Sequence, residues 1–387
     1  MKILHTGDWH IGKLVHGLHM TADQEYILHE LIDLLQREKV DVLIIAGDLY
    51  DRSVPPTEAV ELLDQVLSKI VMDLGIQVIA IAGNHDSPDR LNFGSKLLKD
   101  RGLHILGRPE KTTKPIVLED EYGEVCFYPI PYSEPAVVKA LFNKEESLSQ
   151  DDAMKTILTP ITEGLDQTKR NICISHAFVV GTDEPETSES ERPLSIGGSE
   201  YVSAEHFRPF DYVALGHLHR PQRVLNDRIR YAGSLLKYSF SEAMQNKSLT
   251  LIDLKEKGEI TVELKSLEPK RDLRVIRGEL EELMKEEVYS LGSTEDYIHA
   301  VLTDHGTLYE PMQKLRSVYP NVLQLEREKV EFAGAEEGQV TEMKGKSPRE
   351  LFIEFYRTVT VEQEPTKEAL DYFSEVYEEL EQEGREA

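Results

Sequence analysis

The first hundred residues alternate between short apolar runs and amphipathic helical stretches, and this alternation limits the possible folds more than any other feature. The runs KILHT (2–6), DVLIIAG (41–47) and QVIAIAG (77–83) predict buried strands. Between them, residues 23–38 and 56–74 place apolar side chains at helical spacing. Strand–helix alternation of this kind predicts a mostly parallel sheet with helices on its faces.

Eight further apolar runs follow with tighter turns and fewer helices, which favours a second sheet packed on the first. They occupy residues 104–107, 116–120, 124–130, 171–178, 211–217, 228–233, 248–254 and 259–267. The predicted fold class is therefore α/β, with a two-sheet sandwich flanked by helices.

The chain has 387 residues, more than one hydrophobic core usually holds, so we expect a large domain and smaller additions. A boundary at Pro269–Lys270 precedes a segment that resembles a small α+β domain. Residues 331–347 are rich in Gly and Glu without apolar periodicity and predict a flexible linker, after which two helices begin at Ser347 and Pro365. The predicted domains are thus 1–270, 271–340 and 341–387.

Composition predicts a globular protein of the cytoplasm. We find no uncharged apolar run of eighteen residues, and the N-terminal residues already read as a strand, so we expect neither a membrane span nor a signal peptide. Cys126 and Cys173 lie in separate apolar runs, which predicts buried thiols. The net charge of −27 argues against a nucleic-acid partner, but the acid is densest after residue 270 and the sign reverses locally within 216–240.

Five predicted strands end in potential metal ligands. The sequences are GDWH, GDLYD, GNHD, SHAF and GHLH, with Asp8, His10, Asp48, Asp51, Asn84, His85, His176, His217 and His219. Each alone could be a helix cap, a polar turn or a satisfied histidine. Because the carboxyl ends of parallel strands face one crevice, their joint occurrence predicts convergence on a single site.

The order DxH…GDxxD…GNHD…H…GHxH resembles the calcineurin-like metallophosphoesterase superfamily. The resemblance implies one metal held by Asp8, His10, Asp48 and His219, and a second held by Asp48, Asn84, His176 and His217, with Asp48 bridging. Imidazole, carboxylate and amide ligands without thiolate suit Mn²⁺ or iron, with zinc or Mg²⁺ as alternatives, and the resemblance favours two Mn²⁺.

The same resemblance assigns catalytic roles beside the ligands. His85 would protonate the leaving oxygen, and Asp51 would hydrogen-bond His85. Asp86 is expected to cap the helix that begins near Ser87. Arg52, Arg90 and Arg220 are candidates for holding substrate phosphates, with ordinary surface ion pairs as the alternative.

Longer stretches narrow the resemblance to the SbcD branch of the superfamily: HTGDWHIGK, IIAGDLYDRSVPP, GNHDSPDRL, YVALGHLHRPQ and YAGSLLKYSFSE. This branch implies a Mn²⁺-dependent DNA nuclease, a double-strand exonuclease and single-strand or hairpin endonuclease. It further implies an SbcC-type SMC-like ATPase partner bound by the C-terminal helices, and a cap at 271–340. A homodimer through helices near 56–74 and 89–100 would form a heterotetramer with two ATPase chains.

Two other interpretations stay open. GDLYDR is similar to the phosphatase pattern GDxxDR. A strongly acidic chain is also less unusual for a phosphatase that acts on phosphoproteins or small phosphoesters than for a nuclease. A metal-free scaffold would keep the fold only to bind partners, although all seven ligands are present.

Overall fold

The computed structural model describes residues 1–191, 201–305, 308–328, 347–359 and 364–386. The chain divides into two compact units, Met1–Glu328 and Lys329–Ala387. The predicted linker at 331–347 lies outside the described residues, apart from Ser347.

Most of the longer strands of the first unit coincide with the apolar runs of the sequence, and several short strands do not. In chain order they are β1 (Lys2–Thr6), β2 (Leu14–Val15), β3 (Leu18–His19), β4 (Val42–Ile45), β5 (Gln77–Ile81), β6 (Leu103–Leu106), β7 (Ile116–Asp120), β8 (Gly123–Ile130), β9 (Arg170–His176), β10 (Phe178–Val180), β11 (Tyr201–Ser203), β12 (Tyr212–Gly216), β13 (Gln222–Arg223), β14 (Ile229–Tyr231), β15 (Ser248–Leu254), β16 (Ile260–Ser266), β17 (Leu273–Gly278), β18 (Tyr297–Leu302) and β19 (Val322–Arg327).

The described helices lie between these strands and at the end of the chain. They are α1 (Thr21–Glu38), α2 (Thr57–Ser68), α3 (Pro88–Asn92), α4 (Ser95–Leu98), α5 (Pro135–Phe142), α6 (Gln150–Glu163), α7 (Leu280–Leu283), α8 (Glu286–Tyr289), α9 (Pro311–Arg316), α10 (Pro348–Val359) and α11 (Lys367–Glu386). A π-helical turn, Lys69–Asp73, extends α2 to nearly the predicted length.

Two six-stranded sheets form the sandwich. The first has the order β16-β15-β1-β4-β5-β6 and the second β13-β14-β12-β9-β8-β7. Their central strands pair in parallel. Antiparallel strands close both edges of the second sheet and the β16 edge of the first, whereas β6 at the other edge of the first sheet pairs in parallel with β5. The predicted two-sheet sandwich is confirmed.

Three apolar layers hold the sandwich together. Residues such as Ile44 and Ile174 fill the space between the sheets, α1 and α2 cover the outer face of the first sheet, and α6 covers that of the second. Central strands buried on both faces explain the unbroken apolar runs of the sequence. Each fully buried Ile or Leu contributes about 1.5–3 kcal/mol relative to an exposed side chain.

The sequence analysis does not predict α5 or α6, the two α-helices that the structure describes between residues 104 and 267. Ala153, Met154, Ile157 and Leu158 of α6 have helical spacing and are buried against the second sheet. Ser149 caps α6 in a reciprocal capping box with Asp152. Pro160 lies inside the helix and would have argued for a break.

Residues 271–328 form a small sheet domain within the first unit. Strands β17, β18 and β19 pair in parallel, and their core includes Ile298, Leu302, Leu315 and Tyr319. The proposed end of this domain at residue 340 lies outside the described residues.

In the second unit, α10 and α11 stack Phe352 on Phe373 with ring centroids 4.2 Å apart. The helix starts predicted near Ser347 and Pro365 agree with the structure, and Glu350 completes a capping box with Ser347.

Cys126 and Cys173 are buried free thiols, as predicted. Among the described helices, none is both long and apolar enough to cross a membrane.

Candidate metal centre

The predicted ligands follow parallel strands and meet at one edge of the two sheets. Asp8, Asp48 and Asn84 come two or three residues after β1, β4 and β5 of the first sheet. His176 ends β9 and His217 follows β12, both in the second sheet. The carboxyl ends of parallel strands lie on the same side of a sheet, so the two sheets bring these five positions together.

Glycines allow the close approach. A Cβ on Gly83 would lie 2.1 Å from Oδ1 of Asp48, and one on Gly47, whose φ is +98°, would lie 2.2 Å from Nδ1 of His176. Any side chain at either position would push a candidate ligand away, which explains the Gly beside these strand ends.

The backbone of the ligands is itself unusual. Asp8, His10, Asp48 and His217 have φ values of 52°, 46°, 50° and 110°. Residues other than Gly rarely adopt positive φ, and such strain persists where the surrounding structure over-determines it. The strain is therefore concentrated at the predicted site.

The side chains form two groups with Asp48 between them. Nε2 of His10 and Nε2 of His219 are 3.1 Å apart. Asp8 clusters with these two histidines and also with Asp48 and His176. On the other side, Nε2 of His176 lies 2.8 Å from Oδ1 of Asn84. Oδ2 of Asp48 is 3.6 Å from Nε2 of His10 and 3.5 Å from Nε2 of His176. The Asp48 carboxylate thus lies between the two groups of candidate ligand atoms.

His217 is a candidate ligand that belongs to none of the described clusters of metal-binding side chains. Its ring lies 5.5 Å from the ring of His176, and its backbone N–H donates to Oδ1 of Asp8 at 2.9 Å.

Hydrogen bonds on the far side of two histidines orient them as ligands. Nδ1 of His176 faces the carbonyl of Ala46 at 2.9 Å and must donate to it, which leaves a lone pair on Nε2. That lone pair faces the oxygens of Asn84 and Asp48 with no hydrogen between the acceptors. A cation satisfies all three at once, so these residues fit a metal ion.

His219 is held in the same way. Its Nδ1 lies 2.7 Å from Oγ of Ser190 and 3.3 Å from Oε1 of Glu242, a fully buried carboxylate. Lys247 donates to Oε2 of Glu242 at 2.6 Å and to the carbonyl of His219 at 2.8 Å. Glu191 accepts the backbone N–H of His219 at 2.7 Å.

Burial shifts the pKa values of the candidate ligands in directions that fit a site for cations. Burial, together with the neighbouring Asp48, raises the pKa of Asp8, and burial also raises the pKa of Asp48. Burial lowers the pKa of His176 to about 4 and holds the pKa of His10 and of His217 well below the usual value. The imidazoles are thus neutral and available as ligands, and bound cations would favour ionisation of the carboxyls.

His85 stands beside the centre, half-buried, with its ring 4.6 Å from that of His10. Its backbone N–H donates to Oδ1 of Asp48 at 2.8 Å. Nδ1 of His85 lies 2.7 Å from the backbone carbonyl of Asp51 and not, as we expected, against its carboxylate. The Asp51 carboxylate instead pairs with Lys13 at 2.8 Å, because Lys13 approaches it from the loop after β1.

The expected role of Asp86 is wrong. Ser87, not Asp86, caps α3 by accepting from the N–H of Arg90. The buried Asp86 carboxylate accepts the backbone N–H groups of Leu49, Tyr50 and Gly83 at 3.1, 3.0 and 2.9 Å. It therefore ties the GDLYD loop to the GNHD loop.

The candidate arginines differ in their surroundings. Arg52 is about half exposed and lies 4.0 Å from Asp51, Arg90 is exposed on α3, and Arg220 forms an ion pair with Glu186.

Sequence reasoning missed the supporting residues Lys13, Glu191, Glu242 and Lys247. Glu242 lies in the stretch YAGSLLKYSFSE, but nothing in the spacing of that stretch points to His219.

Known proteins match almost the whole chain. The family model of the calcineurin-like phosphoesterases matches residues 1–221, and SbcD_C, described as Type 5 capsule protein repressor C-terminal domain, matches 269–360. The SbcD subunit of the nuclease SbcCD from Staphylococcus epidermidis is 37% identical over 93% of this chain and 94% of the relative. The protein of that name from Staphylococcus saprophyticus is 35% identical over 95% and 96%. A solved dimetal phosphatase from Danio rerio is 12% identical over 69% of this chain and 96% of that structure, with a TM-score of 0.42.

The fold, the converging ligands and the matched family model define a phosphoesterase, and the chain belongs to the calcineurin-like phosphoesterase family. Within it, the extent of the similarity places the chain in the family of SbcD subunits of the nuclease SbcCD. The resemblance inferred from the motifs is confirmed, and the chain is an enzyme of the metal-dependent nuclease class. Its family implies a dinuclear metal site, and the described side chains provide candidate ligands for one.

Proposed function

We propose that the chain hydrolyses phosphodiester bonds of DNA together with an SbcC-type ATPase, as a double-strand exonuclease and a single-strand or hairpin endonuclease. The observation that supports this most is the Asp48 carboxylate between two groups of ligand atoms. The name shared by relatives that span nearly the whole chain supports the substrate and the partner.

The proposed ligand sets are those of the sequence. Asp8, His10, Asp48 and His219 would hold one ion, and Asp48, Asn84, His176 and His217 the other. Mn²⁺ suits this mixture of imidazole and oxygen donors, with iron, zinc or Mg²⁺ as alternatives. When bound, two divalent cations polarise the phosphoryl group and neutralise the charge that develops on it.

His85 would act as the general acid. Its Nδ1–H donates to the Asp51 carbonyl, which fixes the ring and leaves Nε2 to carry the transferable proton. Asp51 would then act through its backbone and through its pairing with Lys13. Arg52 would contact a substrate phosphate beside the centre, whereas Arg220 would first have to leave Glu186.

The remaining parts of the chain would divide the work as proposed from sequence. Residues 1–270 form the nuclease domain, 271–340 a cap over DNA, and 341–387 a linker and the ATPase-binding helices. On α10 and α11, Phe355 and Tyr372 are 63% and 70% exposed, as expected of helices that dock on a partner. The complex would work in the cytoplasm.

Exposed apolar side chains on the first unit support the homodimer. Val60, Met72, Phe93 and Leu97 are 44%, 65%, 87% and 82% exposed. They lie on and between α2, its π-helical turn, α3 and α4, next to a cavity of about 500 Å³. Two such chains would form a heterotetramer with two ATPase chains.

Activity on two substrates distinguishes the proposed nuclease from the phosphatase alternative. With Mn²⁺, the purified chain should cut a hairpin-ended duplex, faster with an SbcC-type ATPase and ATP, and should hydrolyse nitrophenyl phosphate poorly. Asp48→Ala, which removes the bridging ligand, is the control for contaminating nucleases. Efficient hydrolysis of nitrophenyl phosphate with intact DNA would instead support the phosphatase alternative.

A further inference from the structure

The loop that follows β1 is held by two buried side chains from distant parts of the chain. Gln24 donates from Nε2 to the carbonyls of His10 and Trp9 at 2.7 and 3.2 Å, and its Oε1 accepts the N–H of Gly12 at 3.0 Å. Tyr238 donates to the same Trp9 carbonyl at 2.5 Å, and Gln24 also donates to its hydroxyl. We call residues 8–12 the ligand loop.

These contacts stabilise a strained conformation. Asp8 and His10 have left-handed φ values, and such residues keep that conformation only where other contacts impose it. The ring of Tyr238 also lies edge-on to the rings of His10 and His219, at 5.6 and 5.8 Å between centroids. Gln24 and Tyr238 therefore set the position of one candidate ligand group.

Asp23 and Lys237, which directly precede Gln24 and Tyr238 in the chain, both contact the small sheet domain. Asp23, 1% exposed, accepts from Nη1 of Arg271 at 3.1 Å and from the hydroxyl of Tyr297 at 2.6 Å. Lys237 donates to Asp272 at 2.9 Å. Adjacent residues are joined by a planar peptide with Cα atoms about 3.8 Å apart, so displacement of one moves the other.

We propose that the pairs Asp23–Gln24 and Lys237–Tyr238 are positioning residues that connect the small sheet domain to the ligand loop. The position of the small sheet domain then sets the affinity for the ion held by His10 and His219. This inference rests on the proposed metal centre. In both pairs the first residue contacts the small sheet domain and the second contacts the ligand loop.

The test measures Mn²⁺ binding to the full-length chain without substrate, by calorimetric titration and by the Mn²⁺ paramagnetic resonance signal. Arg271→Gln with Tyr297→Phe, and Tyr297→Phe alone, remove contacts to Asp23 without touching the loop. One of the two affinities should fall about 2- to 30-fold, while the other stays within twofold. Gln24→Leu, which acts on the loop directly, should weaken the same ion about 10- to 100-fold.

Arg277→Gln is the control. Arg277 and Glu328 form an ion pair at 2.6 Å inside the small sheet domain, five residues along the chain from Asp272. This variant should leave both affinities unchanged. In an His219→Ala background, which lacks the affected site, Tyr297→Phe should have no further effect on the remaining ion.

Three results would overturn the connection while leaving the metal centre standing: both affinities within twofold of the wild type, equal weakening of both ions, or the same weakening in Arg277→Gln. A wild-type chain that binds fewer than two Mn²⁺ would overturn the proposed metal centre as well.

Discussion

At the scale of single residues, the candidate ligands occupy backbone conformations that few side chains adopt. Each left-handed residue among Asp8, His10, Asp48 and His217 costs on the order of 1–3 kcal/mol. Buried hydrogen bonds from neighbouring elements offset this cost, and those made by Gln24 of α1 and by Asp86 are examples. The geometry of the site is therefore imposed by its surroundings.

The separation of ligands from general acid can be tested with two variants. Asp48→Ala should lose bound metal and activity together, because Asp48 contacts both ligand groups. His85→Ala should keep two metal ions and lose about 10²–10⁴-fold in the chemical step, as expected for a general acid. Metal analysis measures the number of bound ions in each variant, and single-turnover cleavage measures the rate of the chemical step. A His85→Ala protein that arrives with one ion missing would show that His85 is a ligand.

A stability prediction concerns Asp86. Asp86→Ala leaves three backbone N–H groups without their acceptor, at about 1–3 kcal/mol each, so unfolding free energy should fall by about 3 kcal/mol or more. Calorimetry in EDTA removes any contribution of bound metal. Asp89→Ala, at a side chain that is 73% exposed, should shift the melting temperature little. Equal shifts for the two variants would contradict the role given to Asp86.

At the scale of elements, strand order decides which loops meet. β1, β4 and β5 are neighbours in the first sheet, and β9 and β12 in the second, so all five ligand-bearing ends lie at the centres of their sheets. Central parallel strands are buried on both faces and mostly apolar, so a solvent-accessible polar site forms more readily at their ends than along them. This explains why the ligands directly follow the most apolar runs.

The exposed helices near residue 97 carry the proposed homodimer. Leu97→Asp changes a side chain that is 82% exposed, so it should leave folding intact and separate the dimer. Leu291→Asp, equally exposed on the small sheet domain, is the matched control and should stay dimeric. Light scattering should give twice 44.1 kDa for the wild type and the control. A wild-type mass of 44.1 kDa at micromolar concentration would rule out this dimer.

Much of the fold, and the convergence of the candidate ligands, could be predicted because both rest on local pattern. The apolar runs predicted the strands. The positions of Asp8, Asp48 and Asn84 directly after these runs predicted that their side chains would converge. The role of Asp86 could not be predicted, because its acceptor function depends on the GDLYD loop, more than thirty residues away. Likewise, the pairing of Asp51 with Lys13 depends on how two loops pack. Helix α6 was overlooked although its apolar spacing is helical.

At the scale of the whole molecule, an acidic chain is proposed to act on a polyanion. The net charge of −27 opposes binding to DNA over long distances. Two divalent cations would reverse the sign locally at the buried carboxylates of Asp8 and Asp48. The ATPase partner would then supply most of the affinity for DNA.

Truncation after Lys346 tests this division of labour. The shortened chain should keep Mn²⁺-dependent cutting and lose binding to an SbcC-type ATPase, because α10 and α11 are removed. As a milder change, Phe355→Ser should weaken co-purification with the ATPase, whereas Tyr309→Ser, at a side chain 75% exposed on the small sheet domain, should not. Undiminished co-purification of the truncated chain would refute the assignment of the helices.

Anomalous diffraction from Mn²⁺-soaked crystals tests the two-ion centre most directly. We predict two peaks on either side of the Asp48 carboxylate, one within bonding distance of Asp8, His10 and His219, the other of Asn84, His176 and His217. His85 should contact neither. A single peak, or ions bound away from Asp48, would contradict the account.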